Sequence, residues 1–198
     1  MYITDVTISN CDTAIENYYN LTINGCHISD CDMGINTPSG TLEMTAGTII
    51  DCDTAIEGAG VEFSGGLITH TEKGGIGISA GFITITGGTI SNLEKGVCGS
   101  GSTYTISGGL ITDCTTGVYN EENVGQLTFS SDAEIKNFTT AISGPINVEM
   151  TGGKIYNNTA SRYGGGICIV SKNANNKMSG GSIYNNKKKS AGGVWFNG

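Results

Sequence analysis

The chain has 198 residues, 32 of them glycine and only 14% charged, with a formal net charge of −8 and an isoelectric point near 4.6. So few Lys and Glu residues among so many glycines exclude long amphipathic helices, and an acidic chain with 10 basic residues excludes phosphate-backbone binding, so no nucleic-acid partner is expected. No apolar run reaches the roughly 18 residues of a membrane-spanning helix, so no membrane insertion is expected, and Met1 to Thr7 carry the internal pattern of the chain rather than a signal peptide.

That pattern is a phrase of the form Gly-Gly-x-Ile, whose isoleucine falls at Ile8, Ile28, Ile49, Ile68, Ile90, Ile111, Ile135, Ile155 and Ile183. A period of about 21 residues predicts a solenoid, in which no unit buries its apolar side alone. The last interval is lengthened by an insertion around Ser171 to Asn176. Each unit reads as three strands.

The first strand alternates strictly, as in Thr41-Leu42-Glu43-Met44-Thr45, Thr103-Tyr104-Thr105-Ile106-Ser107 and Asn147-Val148-Glu149-Met150-Thr151. A period of two points Leu42, Met44, Tyr104, Ile106, Val148 and Met150 inward and leaves Thr and Glu outside. A Gly-Gly or Ala-Gly pair then turns the chain into the second strand, which is centred on the anchor isoleucine. Two positions beyond each anchor come Asn10, Asp30, Asp51, His70, Asn92, Asp113, Asn137, Asn157 and Asn185, a turn signature. Cys11, Cys31, Cys52, Thr71, Leu93, Cys114 and Phe138 follow as an inward column. The third strand starts at Ile15, Ile35, Ile56, Val97, Val118 and Ile142, with Ile76 as its member in the fourth coil. Loops are expected at one corner, as at Thr37-Pro38-Ser39 and Asn120-Glu121-Glu122-Asn123.

Three short strands per coil around an apolar interior describe an all-β, right-handed, single-stranded parallel β-helix. It has about nine coils of roughly 21 residues, and stacking at about 4.8 Å makes it near 40 Å long. Residues 1–198 form a single domain and read as an excerpt of a longer repeat protein.

The repeat resembles those of the right-handed parallel β-helix proteins of the pectate-lyase-like superfamily. Its last coils, Gly152-Gly153-Lys154-Ile155-Tyr156-Asn157-Asn158 and Gly180-Gly181-Ser182-Ile183-Tyr184-Asn185-Asn186, resemble most the repeats of bacterial surface proteins and adhesin passengers. The resemblance implies an architecture rather than one activity, since this scaffold carries lyases, hydrolases, adhesins and phage fibres. For a lyase it implies calcium on acidic residues with a basic residue beside them. The one arginine, Arg162, is remote in sequence from most of the acids.

Candidate sites are of two kinds. Asp12, Asp32, Asp53, Glu72 and Glu94 take one repeat position in five coils and should stack as a column of carboxylates. With Asp30 and Asp51 they form the candidate metal set, for which calcium is the candidate ion; no other cofactor is expected. A solvated outer turn is the plainer account of the same residues. On the outward face of the first strand, Thr22, Glu43, Glu62, Thr84, Thr105, Thr128 and Glu149 should form one row, the candidate ligand-binding surface. A second row runs through Thr7, Thr48 and Thr89, with Ser9, Ser91 and Thr112 beside it. Flat threonine rows resemble ice-binding β-helices, but glutamates interrupt the first row and His27, Leu67, Leu110 and Glu134 the second. Tyr18, Tyr19, Tyr119, Tyr156, Tyr163 and Tyr184 are candidate sugar contacts, while Trp195 is expected to point inward. The seven cysteines read as reduced and structural, and His27 and His70 have ordinary places in the repeat.

The function expected on these grounds is a non-catalytic, extracellular or cell-surface adhesin or spacer, with polysaccharide or a host-surface glycan or protein as partner. The alternatives are a carbohydrate-active β-helix enzyme and a phage-fibre-like segment.

Overall fold

The computed structural model describes residues 1–160, 164–171, 175–188 and 191–197. The described residues are all strand, turn or irregular, and every strand pairing is parallel. The chain is a parallel β-solenoid in which three ladders run along one axis.

Sheet A holds the nine anchors. Each pairs in register with the next, from Ile8 with Ile28 to Ile155 with Ile183, so nine stacked strands enclose eight intervals. Sheet B follows in each coil and stacks Ile15, Ile35, Ile56, Ile78, Val97, Val118, Ile142, Ile167 and Val194. Sheet C completes the coil with two inward columns, one through Leu42, Val61, Ile83, Tyr104 and Leu127, the other through Met44, Phe63, Ile85, Ile106 and Phe129. All these sheet C side chains are buried. At roughly 2–3 kcal/mol for each fully buried aliphatic side chain, this thin continuous column is the main favourable term of the fold.

The two glycines of the repeat phrase answer two separate requirements. A Cβ on the first would strike the carbonyl of the preceding coil, at 2.2 Å from Thr86 O for Gly108. The second lies in the left-handed region, as at Gly109 with φ 79°, where glycine is free of steric penalty. The Asn/Asp turn has the same origin. Asn10, Asp30, Asp51, Asn92, Asp113, Asn137, Asn157 and Asn185 all have φ between 54° and 65°, the one region that short polar side chains tolerate better than other non-glycine residues.

The fourth coil departs from the repeat, and the expectations that assumed regularity fail there. Ile78, not Ile76, joins the sheet B column; Ile76 pairs with Thr54 and Lys95 one step outside it. The segment from His70 to Gly75 bulges outward, so Thr71 is exposed instead of joining the inward corner column. Trp195 also differs from expectation: it is in register with Cys168, which pairs with Ser143, in the row alternating outward from Ile142, Ile167 and Val194. Of the two loops expected, Thr37-Pro38-Ser39 lies instead within one continuous strand, Met33–Met44, bulged between Thr37 and Thr41, while Glu121 to Val124 connect two strands at the corner where sheet B passes into sheet C. That corner is held by buried Asn120, whose amide donates to Pro145 O at 2.8 Å while its oxygen accepts from Tyr104 Oη and Ser102 N.

Candidate functional site

The outward row of sheet C forms as the sequence predicts. Thr22, Glu43, Glu62, Thr84, Thr105, Thr128 and Glu149 pair in register along seven consecutive coils, with Tyr2 before Thr22 and Lys177 after Glu149. Alternation puts a parallel row of Thr41, Gly60, Phe82, Thr103, Gln126 and Asn147 beside it.

The face is not uniform. Over its first coils lie two hollows of about 390 and about 250 Å³ that share Asn20, Thr41 and Glu62 as lining. The first also takes in Tyr2, Thr22 and Glu43, the second Gly60, Phe82 and Thr84. Gly60, lacking a side chain, leaves the notch between Thr41 and Phe82. The rings at the two ends are open to solvent, Tyr2 at 82% and Phe82 at 68% exposure. Between them Glu43 accepts a hydrogen bond from Thr22 Oγ1 at 3.3 Å, and among the described residues no cation stands against Glu43 or Glu62. Two carboxylates one coil apart repel by about 0.9 kcal/mol even in bulk water. At the other end of the row, Glu149 meets Lys177 Nζ at 3.4 Å.

The candidate metal residues are brought together only in part. Backbone hydrogen bonds stack Asp12, Asp32 and Asp53, since Asp32 N donates to Cys11 O and Asp53 N to Cys31 O. Gly75 takes the next place, because Ile76 pairs with Thr54 and Lys95. Glu94 resumes the column after that gap, and Glu72 lies in the bulge outside it, which corrects the expectation of five stacked carboxylates. All five are exposed. Asp30 and Asp51 occupy the left-handed corner. Among the described residues no three His, Cys, Asp or Glu side chains converge as a metal site. Asp51 is instead met by the bulge: Thr71 donates its amide and hydroxyl at 2.5 and 2.6 Å, and His70 Nδ1 lies 3.2 Å away, off the hydrogen-bonding direction. Desolvation raises the Asp51 carboxyl, but the Thr71 hydrogen bonds and the His70 ring outweigh it and hold the group below its ordinary value.

Most of the remaining candidates have structural partners, while Tyr19 stands 80% exposed. All seven cysteines are free, and Cys11, Cys31, Cys52 and Cys114 each direct Sγ to the carbonyl two residues back. Burial pushes the Cys52 and Cys114 thiols up to about 11. Tyr156 and Tyr184 stack with centroids 5.0 Å apart, Tyr119 lies under Lys95 Nζ at 4.8 Å, and Tyr18 donates to Glu16. Arg162 and Tyr163 fall outside the described residues. Sequence reasoning missed Tyr2 and Phe82, although the Phe82-Ile83-Thr84-Ile85 alternation was the signal that could have placed Phe82 outside.

A scan against protein-family models and searches of curated proteins and of solved structures found no match. The solenoid is thus established by its own strand register, and the functional reading depends on the geometry of sheet C.

Proposed function

We propose that this chain is a rigid, non-catalytic extracellular rod that presents sheet C to an extended polysaccharide, as an adhesive or spacer element of a bacterial surface protein. The observation that carries the proposal is the pair of joined hollows closed at their ends by exposed Tyr2 and Phe82. Rings offer apolar faces to a sugar, while Thr22, Thr41, Thr84, Glu43 and Glu62 offer the hydroxyl and carboxylate partners that fix its orientation. A chain lying along the axis meets the same partners coil after coil, which a repeated lattice supplies and a single pocket does not. A hydrolase of the paired-carboxyl kind needs one carboxyl kept protonated by apolar surroundings, and Glu43 and Glu62 are both exposed.

The test is a glycan-array and polysaccharide retention screen, run with calcium and with chelator, followed by a product assay on every retained glycan. Binding without cleavage is expected, weakened about tenfold by Phe82→Ala, a loss of about 1.4 kcal/mol. Cleavage products would move the chain to the carbohydrate-active enzymes; a screen with no retained glycan would reduce its role to that of a spacer.

A further inference from the structure

A solenoid lays its sequence out along its axis, so charge order in the chain becomes charge order along the rod. Residues 1–149 hold all 18 acidic residues and 3 of the 10 basic ones, a net charge of −15; residues 150–198 hold the other 7 basic residues and no acid. The last coils therefore carry positive charge that their own segment cannot neutralise. Part of it is taken up across coils, where Lys154 reaches Glu134 at 2.8 Å and Lys177 reaches Glu149. Lys187 has no such partner among the described residues.

Lys187 borders a hollow of about 400 Å³ whose other walls are Asn157, Thr159 and Asn185. The two asparagines hold the left-handed corner of consecutive coils, with φ 58° and 54°, and a parallel bridge joins Thr159 to Lys187. All four residues are exposed. Two side-chain amides, a hydroxyl and an ammonium thus open on one space, a set rich in donors and free of carboxylate. It suits an oxyanion carried on a hydroxylated chain, because the lysine supplies a charge-assisted hydrogen bond and the amides and hydroxyl can serve both carboxylate and hydroxyl groups.

We infer that this corner of the last two coils is a second binding site, for the carboxylate groups of an acidic polysaccharide, separate from the sheet C face. The strongly negative remainder of the rod confines polyanion contact to this end. The proposal does not rest on the sheet C reading, since the two surfaces share no residue.

Affinity electrophoresis of the whole chain through polygalacturonate, with neutral dextran and a single-stranded oligonucleotide as separate arms, tests it at low and high salt. The expected result is retardation by polygalacturonate but not dextran, weakened by salt. Lys187→Glu is expected to reduce apparent affinity about tenfold or more. Asn157→Asp keeps a side chain that tolerates the left-handed backbone and should weaken it in the same direction. Lys73→Glu, which makes an equal charge change far from the hollow, should leave it unchanged, with circular dichroism confirming that each variant is folded. Absence of retardation at low salt, retardation by the oligonucleotide alone, or equal weakening by Lys73→Glu would each overturn the proposal.

Discussion

Coils two to four and coils seven to nine are built on one lattice and carry opposite chemistry. In the first region Glu43 and Glu62 stand in register with no cation against them and a ring exposed on either side. In the second, the carboxylates Glu134 and Glu149 are each answered by a lysine one coil on, Lys154 or Lys177. The same sheets hold both sets, and the same inward columns run beneath them. The repeat therefore fixes where an outward side chain stands, and substitution at that place alone decides whether a carboxylate is neutralised within the rod or left for something outside it.

If the lattice is common to both regions, damage to it should be felt equally in both. Ile49→Ala and Ile155→Ala each remove an anchor that is at most 1% exposed, and each is expected to destabilise by about 2–5 kcal/mol, read from urea unfolding. A loss confined to one region would show that the two do not share a column. A smaller pair of losses is expected at the left-handed corner. Asp30→Val and Asn157→Val force a β-branched residue to φ 55° and 58°, at a cost of roughly 1–2 kcal/mol, whereas glycine at either place should be tolerated. Failure of glycine would mean that the side chain and not the backbone angle explains the conserved geometry of the turn along the rod.

Charge exchange addresses the contrast itself. Glu62→Lys places an ammonium beside Glu43 and creates in the first region the pair that Glu149 and Lys177 make in the second. It should raise stability by up to about 1 kcal/mol while weakening any cation-seeking contact of the hollow, and Lys177→Glu should lower stability by a similar amount. Thermal melts at low and high salt check both, since the gain and the loss should shrink together on screening.

The fold was legible because its determinants recur. Nine isoleucines, a glycine pair and an Asn/Asp turn repeat at one period, and each repetition states the same backbone requirement, so the strand register of sheets A and C follows from spacing alone. Legibility ended where one coil broke the period. His70 to Gly75 insert a bulge, and counting through it placed Ile76 where Ile78 packs and Glu72 where Gly75 stacks. The site was readable as a row but not as a hollow. Alternation gives the outward positions, yet a hollow needs a missing side chain at Gly60 beside a ring at Phe82, and these belong to different coils that only the register brings together. Trp195 was misplaced for a related reason: size and apolarity suggested the interior, while its register with Cys168 assigns it to the outward row. The acid-free final 49 residues were in plain view as composition, and acquired meaning only once chain order was known to be axial order.

The smallest expected effect lies in the pairing of the second region. Hydrogen bonds donated by Lys154 Nζ and Tyr156 Oη hold the Glu134 carboxyl below its ordinary value, against the opposing effect of burial. A carboxyl whose folded value is depressed contributes stability at any pH above its unfolded value, here near 4.5, and loses that contribution as pH falls through the folded value. Acidification should therefore loosen the second region at Glu134, as it should the Asp51 turn of the first, and Glu134→Gln should flatten the Glu134 part of that acid limb while leaving the melt at neutral pH only slightly lowered. Hydrogen exchange at the amides of Lys154 and Tyr156, followed from neutral to acid pH beside that of Glu43 and Glu62, separates the outcomes. Acid-dependent opening is expected around Glu134 and not at Glu43 and Glu62. Equal opening at Glu43 and Glu62 would show that protonation acts on the rod as a whole, and that the lysines set against the carboxylates of the last coils do not distinguish one region from the other.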